Sequence, residues 1–554
     1  MTLLRRSRSC GADRPRRAAT ALRDSLVAWV RGQDVDDENS NGVTAEVRPS
    51  VHGDVLHSQP AVVDYGSPTG VIAYYGANSG VFHAVDGGTT DTEGTELWGF
   101  IAPETYSKLN RLKTNTPLVL FPPDTGTGAT PKDYFFDGSI GVFQGKIGAA
   151  DKVWIYPGMR RGGRAIYAFD VTTPTSPTIK WRKGCFTSST TADASCSAGW
   201  STIGQTWSKP QVAFISGYVD ASTPPVPKPV LIFGGGYDTC EDIDGQARCL
   251  TTPRKGAGIW FVDADTGAIL RIYPTNYSVP GDVSLIKDVN GYVRYAYAGD
   301  TGGYLYRVNV GTSDTTGTTL TGWSTTGGAG DIDIAYLSET SHERKFMYAP
   351  DVVEFSGFNG VLIGSGDREH PLKTNYYCGF TTGTNAFSTV AGAHVTNQFY
   401  MLKDTPATYP VTLPRASDLT TVAADGTTTV GSIGWKFSLN ACEQTVNKAL
   451  TIAGTVFFGT NQPFEGAVAS CAVNLGTARG YAVNFLTGAR STPTVFSGGG
   501  LPPSPVAGVV NVDGTNVPFC IGCGAGTSSA LEGSEVVVEP PGTRSRIYWY
   551  RETD

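Results

Sequence analysis

Tyr295-Ala-Tyr-Ala-Gly-Asp-Thr-Gly-Gly-Tyr-Leu-Tyr-Arg-Val-Asn309 reads as two apolar strands joined by a glycine-rich turn. Large apolar side chains fall on both phases of each strand, so both faces of the hairpin must be covered. The same grammar recurs along the chain. Val71–Asp86 is a strand, a turn at Gly76 to Gly80 and a strand ending in Asp, followed by Glu96-Leu-Trp98. Further copies are Val153–Gly158 with Arg164–Asp170 and Lys180-Trp181, Val230–Gly234 with Gly258–Gly267, Val361–Asp367 with Gln398–Asp404, and Thr455–Thr460 with Gly480–Gly488. The glycines that close the first strand of each copy, Gly76, Gly158, Gly234, Gly299, Gly364 and Gly459, return every 65 to 95 residues and read as turn glycines. Such a spacing fits a small antiparallel sheet of roughly 40 to 50 residues plus inserted loops. A short sheet that is apolar on both faces cannot bury itself alone, and radial stacking also protects its edges. The fold class is therefore all-β, a β-propeller with long inserted loops. Pro505 to Val512 and Arg544 to Tyr550 supply strands of a seventh blade, completed by strands near Val47 to Val63; seven blades is the expectation and six the alternative.

Composition agrees. The 554 residues include 69 Gly and 33 Pro, only 17% are charged and 40% are hydrophobic, which suits a turn-rich chain with a large core and excludes a mainly helical or disordered one. A single helix is predicted, Ala21 to Gly32, with Leu22, Leu26, Val27 and Val30 at helical spacing. The chain divides into a disordered basic leader (1–22), a short helix with an acidic linker (23–45) and the propeller (46–554). The net charge of −7 and a pI near 5.5 exclude nucleic-acid binding as the main business, because phosphate neutralisation needs an excess of Lys and Arg. No apolar run is long enough for a transmembrane helix. The Arg-rich start is not followed by the apolar core of a secretory signal.

Ten cysteines point outward all the same. Cys185 and Cys196, and Cys240 and Cys249, are close pairs in polar loops and read as disulfide staples; Cys520-Ile-Gly-Cys523 keeps a metal or redox reading as a rival. Disulfides without a signal imply that the chain is the C-terminal part of something longer that works outside the cytoplasm.

The repeated words are more specific than propeller grammar. His52-Gly-Asp-Val-Leu-His-Ser-Gln-Pro60, Tyr75-Gly-Ala-Asn-Ser-Gly80, Gly234-Gly-Gly-Tyr-Asp238, Tyr297-Ala-Gly-Asp-Thr-Gly-Gly303 and Ile363-Gly-Ser-Gly-Asp-Arg-Glu369 occur in an order that resembles the C-terminal propeller of the PilC/PilY family of type IV pilus biogenesis and tip-adhesin proteins, from about Leu26 to the C-terminus. The resemblance implies a non-catalytic module of the cell envelope or pilus tip. Its implied partners are minor pilins, the pilus tip complex, and a host or abiotic surface; its implied roles are pilus extension against retraction, and attachment. The inserted loops Thr187 to Ser201, Asp238 to Thr252 and Thr374 to Asn397 are the expected contact regions.

The resemblance also implies a calcium loop, Asp-x-Asn-x-Asp-Gly-x-x-Asp, just before the Tyr-Ala-Gly-Asp strand. Here Asp288 and Asn290 survive as candidate Ca2+ ligands in Asp288-Val-Asn-Gly-Tyr-Val-Arg294, but the third acid is missing and Arg294 stands near the last carboxylate position. Calcium takes six to eight oxygens, so an ordinary hairpin turn on Asn290-Gly291 is the better reading of a degenerate loop. Asp238, Glu241, Asp242 and Asp244 form a second acidic cluster, better explained as an ordered polar loop. Asp34, Asp36, Asp37 and Glu38 read as a solvated face. His52 and His57 flank Asp54 and are expected to serve hydrogen bonding rather than catalysis.

The alternative function is a secreted quinoprotein-like propeller enzyme or a carbohydrate-binding propeller. Asp263-Ala-Asp-Thr-Gly267 and Glu96-Leu-Trp98 fit the grammar of the pyrroloquinoline-quinone dehydrogenases, yet no Cys-Cys dipeptide is present for their vicinal disulfide. The Asp-Thr-Gly turns have a simpler account in turn chemistry, with Trp packing between blades. Gly364-Ser-Gly366 lies at a strand end rather than before a helix, so it is no nucleophile elbow.

Overall fold

The computed structural model describes residues 13–88, 94–120, 128–187, 193–242, 253–310, 332–338, 344–370, 395–406, 409–463, 475–512, 515–524 and 529–535. The chain forms two compact units, one holding residues 1–239 and 255–272, the other 240–254 and 273–554. Cys249, Asp244, the Arg544 to Tyr550 strand and most of the inserted loops lie outside the described residues.

The first unit opens with helix α1 (Asp13–Val30). It starts eight residues before Ala21, inside the segment read as a basic leader, because Arg16, Arg17, Ala18 and Ala19 are strong helix formers. It ends as expected: Gly32 sits at φ +93, its N–H donates to the Trp29 carbonyl at 3.0 Å, and Gln33 donates to Ala28 at 3.0 Å, a Schellman cap. A second helix, α2 (Tyr106–Thr114), corrects the single-helix expectation. It buries only Leu109 and so leaves almost no apolar period to read. Its cations hold it instead: Lys108 Nζ donates to the Tyr134 carbonyl at 2.9 Å, and Arg111 pairs with Asp133 at 2.9 Å while donating to the Pro117, Thr130 and Pro131 carbonyls.

Three four-stranded antiparallel meanders follow in chain order. They are β1 (Ala61–Asp64), β2 (Val71–Gly76), β3 (Phe82–Asp86) and β4 (Glu96–Phe100); β5 (Ile140–Ile147), β6 (Ala150–Pro157), β7 (Arg164–Asp170) and β8 (Thr178–Cys185); and β9 (Gln211–Val219), β10 (Pro227–Gly234), β11 (Gly258–Asp263) and β12 (Ile269–Pro274). The second unit adds β13 (Ser284–Lys287), β14 (Val293–Gly299), β15 (Tyr304–Asn309) and β16 (Asp333–Tyr336). Next come β17 (Asp351–Phe355), β18 (Phe358–Gly364), β19 (Gln398–Asp404), β20 (Thr420–Thr421) and β21 (Gly434–Ser438), then β22 (Gln444–Thr445), β23 (Leu450–Ile452), β24 (Thr455–Gln462), β25 (Thr477–Asn484) and β26 (Thr494–Phe496). A last sheet holds β27 (Val506–Val512), β28 (Thr515–Ile521) and β29 (Gly533–Glu535).

Seven sheets of this kind among the described residues make the fold a β-propeller, the class read from the repeats. One strand assignment differs. Ala61–Asp64 pairs with β2, Ala61 opposite Tyr74 and Asp64 opposite Val71, and belongs to the first sheet rather than completing the last. Its residues alternate between buried and exposed, as in an edge strand with one covered face, whereas β11 is buried along its whole length.

The cores lie between successive sheets. Phe82, Tyr74 and Ile72 of the first sheet pack with Ile155, Tyr167 and Phe169 of the second. Trp154, Tyr156 and Trp181 of the second pack with Phe233, Trp260 and Val262 of the third. In the other unit Tyr297 and Leu305 meet Val361 and Tyr400, and Phe399 and Trp435 meet Phe458 and Tyr481. Each such side chain contributes roughly 1.5–3 kcal/mol on burial.

The repeat glycines act differently from the expectation. None of Gly76, Gly158, Gly234, Gly299, Gly364 and Gly459 is among the positive-φ residues. A Cβ on Gly76 would run into the backbone of Phe136, and one on Gly364 into the Thr445 side chain. Close approach between segments requires glycine at Gly76, Gly158, Gly299, Gly364 and Gly459, while positive φ falls on turn residues such as Gly80, Gly291 and Gly303.

The acids of the 34–42 linker are not a uniformly solvated face either. Asp34 is fully buried, Asp36 pairs with Lys113 at 2.7 Å and Glu38 accepts from Trp29 Nε1 at 3.2 Å.

Candidate functional site

Asp288 stands at the start of the β13–β14 hairpin. Its Oδ1 accepts the N–H groups of Asn290 at 2.8 Å and Tyr292 at 2.9 Å, and Gly291 takes φ +85. Val289 at the tip is 85% exposed, and Arg294 turns to Glu354 at 3.5 Å. The carboxylate is thus engaged in capping a turn, the arrangement that an Asx-type hairpin needs.

The second acidic cluster leads to a site that its spacing did not announce. Asp238, in the first unit, accepts the Lys255 N–H at 2.8 Å. Glu241 belongs to the second unit and is 3% exposed; its carboxylate lies 2.8 Å from Lys345 Nζ, which lies 2.8 Å from Asp367 as well. His370 Nδ1 completes the row at 2.9 Å from Asp367 Oδ2. Hydrogen bonds tie the row to two further segments. Thr301 Oγ1 donates to Glu241 at 3.0 Å, Asp367 N–H donates to Gln444 Oε1 at 2.6 Å, and Gln444 Nε2 donates to the His370 carbonyl at 3.2 Å.

Burial disfavours every charge in this row, and the partners override it. Desolvation alone would lower Lys345, but Asp367 and Glu241 raise it above its ordinary value. Desolvation would raise Asp367, but Lys345 and His370 bring it well below the usual carboxylate range. His370 is held above its ordinary value by Asp367 against the same desolvation. A lysine kept charged between two carboxylates is neither base nor nucleophile, so the row is a lock rather than a catalytic constellation. Glu241 lies within the expected contact loop Asp238 to Thr252, and His370 shortly before the expected loop Thr374 to Asn397.

Two more buried carboxylates complete the unit's polar framework. Asp300, in the Tyr-Ala-Gly-Asp repeat, accepts from the N–H groups of Gly302, Tyr304 and Tyr277 and from Tyr306 Oη at 2.6 Å, yet burial pushes its carboxyl up to about 7. Glu443, fully buried, accepts from Asn440, Thr460 and Tyr481.

The histidines are bonded as expected. His57 Nδ1 meets Asp137 at 2.7 Å, His52 Nε2 meets Tyr75 Oη at 3.0 Å, and Asp54 pairs with Lys132. Cys185–Cys196 and Cys520–Cys523 are disulfides, and Cys240 and Cys442 are also disulfide-bonded. Among the described residues one group of three His, Cys, Asp or Glu ligand atoms comes within metal reach, Cys185, Asp193 and Cys196; its sulfurs are joined to each other and offer no thiolate. Asp193 is instead paired with Arg164 and Lys255.

No family model matches the chain. It is similar to the type IV pilus biogenesis factor PilY1 of Pseudomonas aeruginosa, with 26% identity over 313 residues for strain PAO1 and 29% over 313 residues for strain UCBPP-PA14. The PilY1 homologue of Xylella fastidiosa is 25% identical over 215 residues. The PAO1 match takes in 51% of this chain and 22% of the relative's length. The solved C-terminal domain of P. aeruginosa PilY1 superposes with a TM-score of 0.52 at 17% identity, covering 85% of this chain and 93% of that domain. A europium-containing methanol dehydrogenase gives a TM-score of 0.39. With the family's words in order, a propeller of successive meanders, and this coverage of the solved domain, the chain is a homologue of the PilY1 type IV pilus biogenesis factors and matches their C-terminal domain.

Proposed function

We propose that the chain is a non-catalytic part of the type IV pilus machinery of the cell envelope, acting with minor pilins at the pilus tip to favour extension over retraction and to hold the pilus to a surface. The observation that carries this reading is the combined likeness to PilY1, in sequence over half of the chain and in architecture over most of it. Two features support it. The Cys185–Cys196 and Cys520–Cys523 disulfides suit an oxidising compartment. Glu241, Lys345, Asp367 and His370 of the second unit are held in a buried row that braces a scaffold, with loops left to make contacts. A deletion strain tests the proposal. Loss of surface pili and twitching, restored by the intact gene, is the expected result, and normal piliation in the deletion strain would remove it.

A further inference from the structure

Asn-Gly occurs three times in the sequence, at Asn41-Gly42, Asn290-Gly291 and Asn359-Gly360. A glycine after asparagine leaves the next backbone nitrogen unshielded by a Cβ, so that this nitrogen can reach the carbonyl carbon of the Asn side chain. The attack needs a free amide, a releasable N–H and room for a five-membered ring. The three pairs are held very differently.

Asn359 lies in β18 and is 5% exposed, and its Nδ2 donates to Tyr297 Oη at 2.9 Å. The pair is locked between two strands, Asn359 opposite Glu354 and Asp404 and Gly360 opposite Val353 and Lys403, and the Phe485 ring stands where a Cβ on Gly360 would go. Asn41 is exposed but tied at both ends of its amide: Nδ2 donates to Glu46 at 2.6 Å and Oδ1 accepts from the Val43 N–H at 2.7 Å. The Gly42 N–H donates to both oxygens of Asp37, at 3.1 and 3.0 Å, and a carboxylate there opposes the loss of that proton. Asn290 is exposed at the tip of the β13–β14 hairpin, beside Val289. Among the described residues its side-chain amide has no hydrogen-bond partner. The Gly291 N–H meets only a neutral acceptor, the Asp288 carbonyl at 3.1 Å, and a group built on Gly291 Cα meets nothing within 4 Å.

We propose that Asn290 is a site of spontaneous deamidation in the folded chain, and that the contacts of Asn41 and Asn359 protect the other two pairs. Gly291 N gives its proton to solvent base and attacks Asn290 Cγ; the new C–N bond closes a succinimide, and Nδ2 leaves as ammonia. Water, the only co-reactant, then opens the ring. Cleavage between Cγ and the nitrogen leaves an ordinary aspartate, and cleavage between the backbone carbonyl carbon and the nitrogen leaves an isoaspartate. Either product adds a carboxylate beside Asp288. Isoaspartate also inserts the side-chain methylene into the backbone between the Asn290 and Tyr292 N–H groups, which Asp288 Oδ1 now caps at 2.8 and 2.9 Å. The modification therefore alters the turn that closes the Lys287–Val293 end of the hairpin, and leaves the buried side chains of the sheet in place.

Peptide mapping by mass spectrometry on the full chain, held in warm, mildly alkaline buffer, tests it. The peptide carrying position 290 should gain the mass of an amide-to-acid exchange, and an isoaspartyl methyltransferase should label part of it. The peptides carrying positions 41 and 359 should stay unchanged. In guanidinium chloride at the same pH all three should convert at similar rates, because the protection belongs to the fold. Gly291→Ala should slow conversion at position 290 severalfold. The comparison of folded with unfolded chain keeps the test decisive if that variant folds poorly. Position 290 intact in the folded chain, or position 41 or 359 converting there as fast as 290, would overturn the proposal.

Discussion

Trp181 Nε1 donates to the carbonyl of Ala264 at 3.1 Å, so the last strand of one sheet is pinned to the Asp-Thr-Gly turn of the next. The relationship repeats where Trp98 donates to Pro174 at 2.7 Å and Trp435 to Phe485 at 2.9 Å. Each turn is itself organised by its first acid or amide. Asp263 Oδ1 accepts from Asp265 and Thr266 N–H and from Thr266 Oγ1, and Asn484 Oδ1 does the same for Leu486 and Thr487. Trp435→Phe keeps an aromatic ring but strands the Phe485 carbonyl, and should cost about 1–3 kcal/mol in urea unfolding. A cost near zero would mean that the indole is only filling space.

Glycine at the sheet junctions and glycine at the turn tips should respond differently to alanine. Gly76→Ala drives a methyl into the Phe136 backbone and should cost at least about 1–3 kcal/mol. Gly291→Ala meets open space, carries only the penalty of its positive φ, and should cost about 1 kcal/mol. Thermal unfolding of both variants checks the order, and equal shifts would contradict it.

Lys345 lies between Glu241 and Asp367, all three nearly inaccessible to water. Lys345→Met leaves two buried carboxylates facing each other and should destabilise the chain by about 3–5 kcal/mol. Glu241→Gln, which keeps the hydrogen bond from Thr301, should cost less. Denaturant midpoints of the two variants in the reverse order would rule out the lock.

Stability should fall on both sides of a mildly acidic optimum. Asp367, held below its ordinary value, contributes stability that is present above that value and lost as the pH drops through its folded pKa. His370, held above its ordinary value, contributes stability that is full below about 6.5 and lost as the pH rises through its folded pKa. Asp300, pushed up to about 7 by burial, binds a proton in the folded state that the unfolded chain has released, and so also lowers stability as the pH climbs from about 4 to 7. Urea midpoints at successive pH values should therefore decline from mildly acidic to neutral pH, and His370→Gln should flatten the decline above pH 6.5. A midpoint that rises steadily through that window would contradict these assignments.

How far the sequence could be read depends on the length of the signal. Strand, turn and Trp recur in every repeat, so the propeller class was legible from Tyr295–Asn309 outward. The repeat glycines were legible by position but not by cause, since a close approach depends on what lies across the sheet junction, and Phe136 stands sixty residues from Gly76. Helix α2 was illegible because its stabilising contacts are Lys108 and Arg111 on backbone carbonyls, which leave no apolar period. The Lys345 row joins Glu241, Asp367 and His370 across more than a hundred residues, and no local motif encodes it. In the linker the acids were visible, but nothing in their spacing marks Asp34 as the buried one.

The proposed role of this PilY1 homologue in the type IV pilus is open to a direct measurement. The most direct measurement is twitching-zone diameter and surface pilin in a clean deletion strain of the source organism, complemented in trans with the intact gene. Both should collapse in the deletion strain and return on complementation; undiminished surface pilin and twitching without the gene would contradict that role.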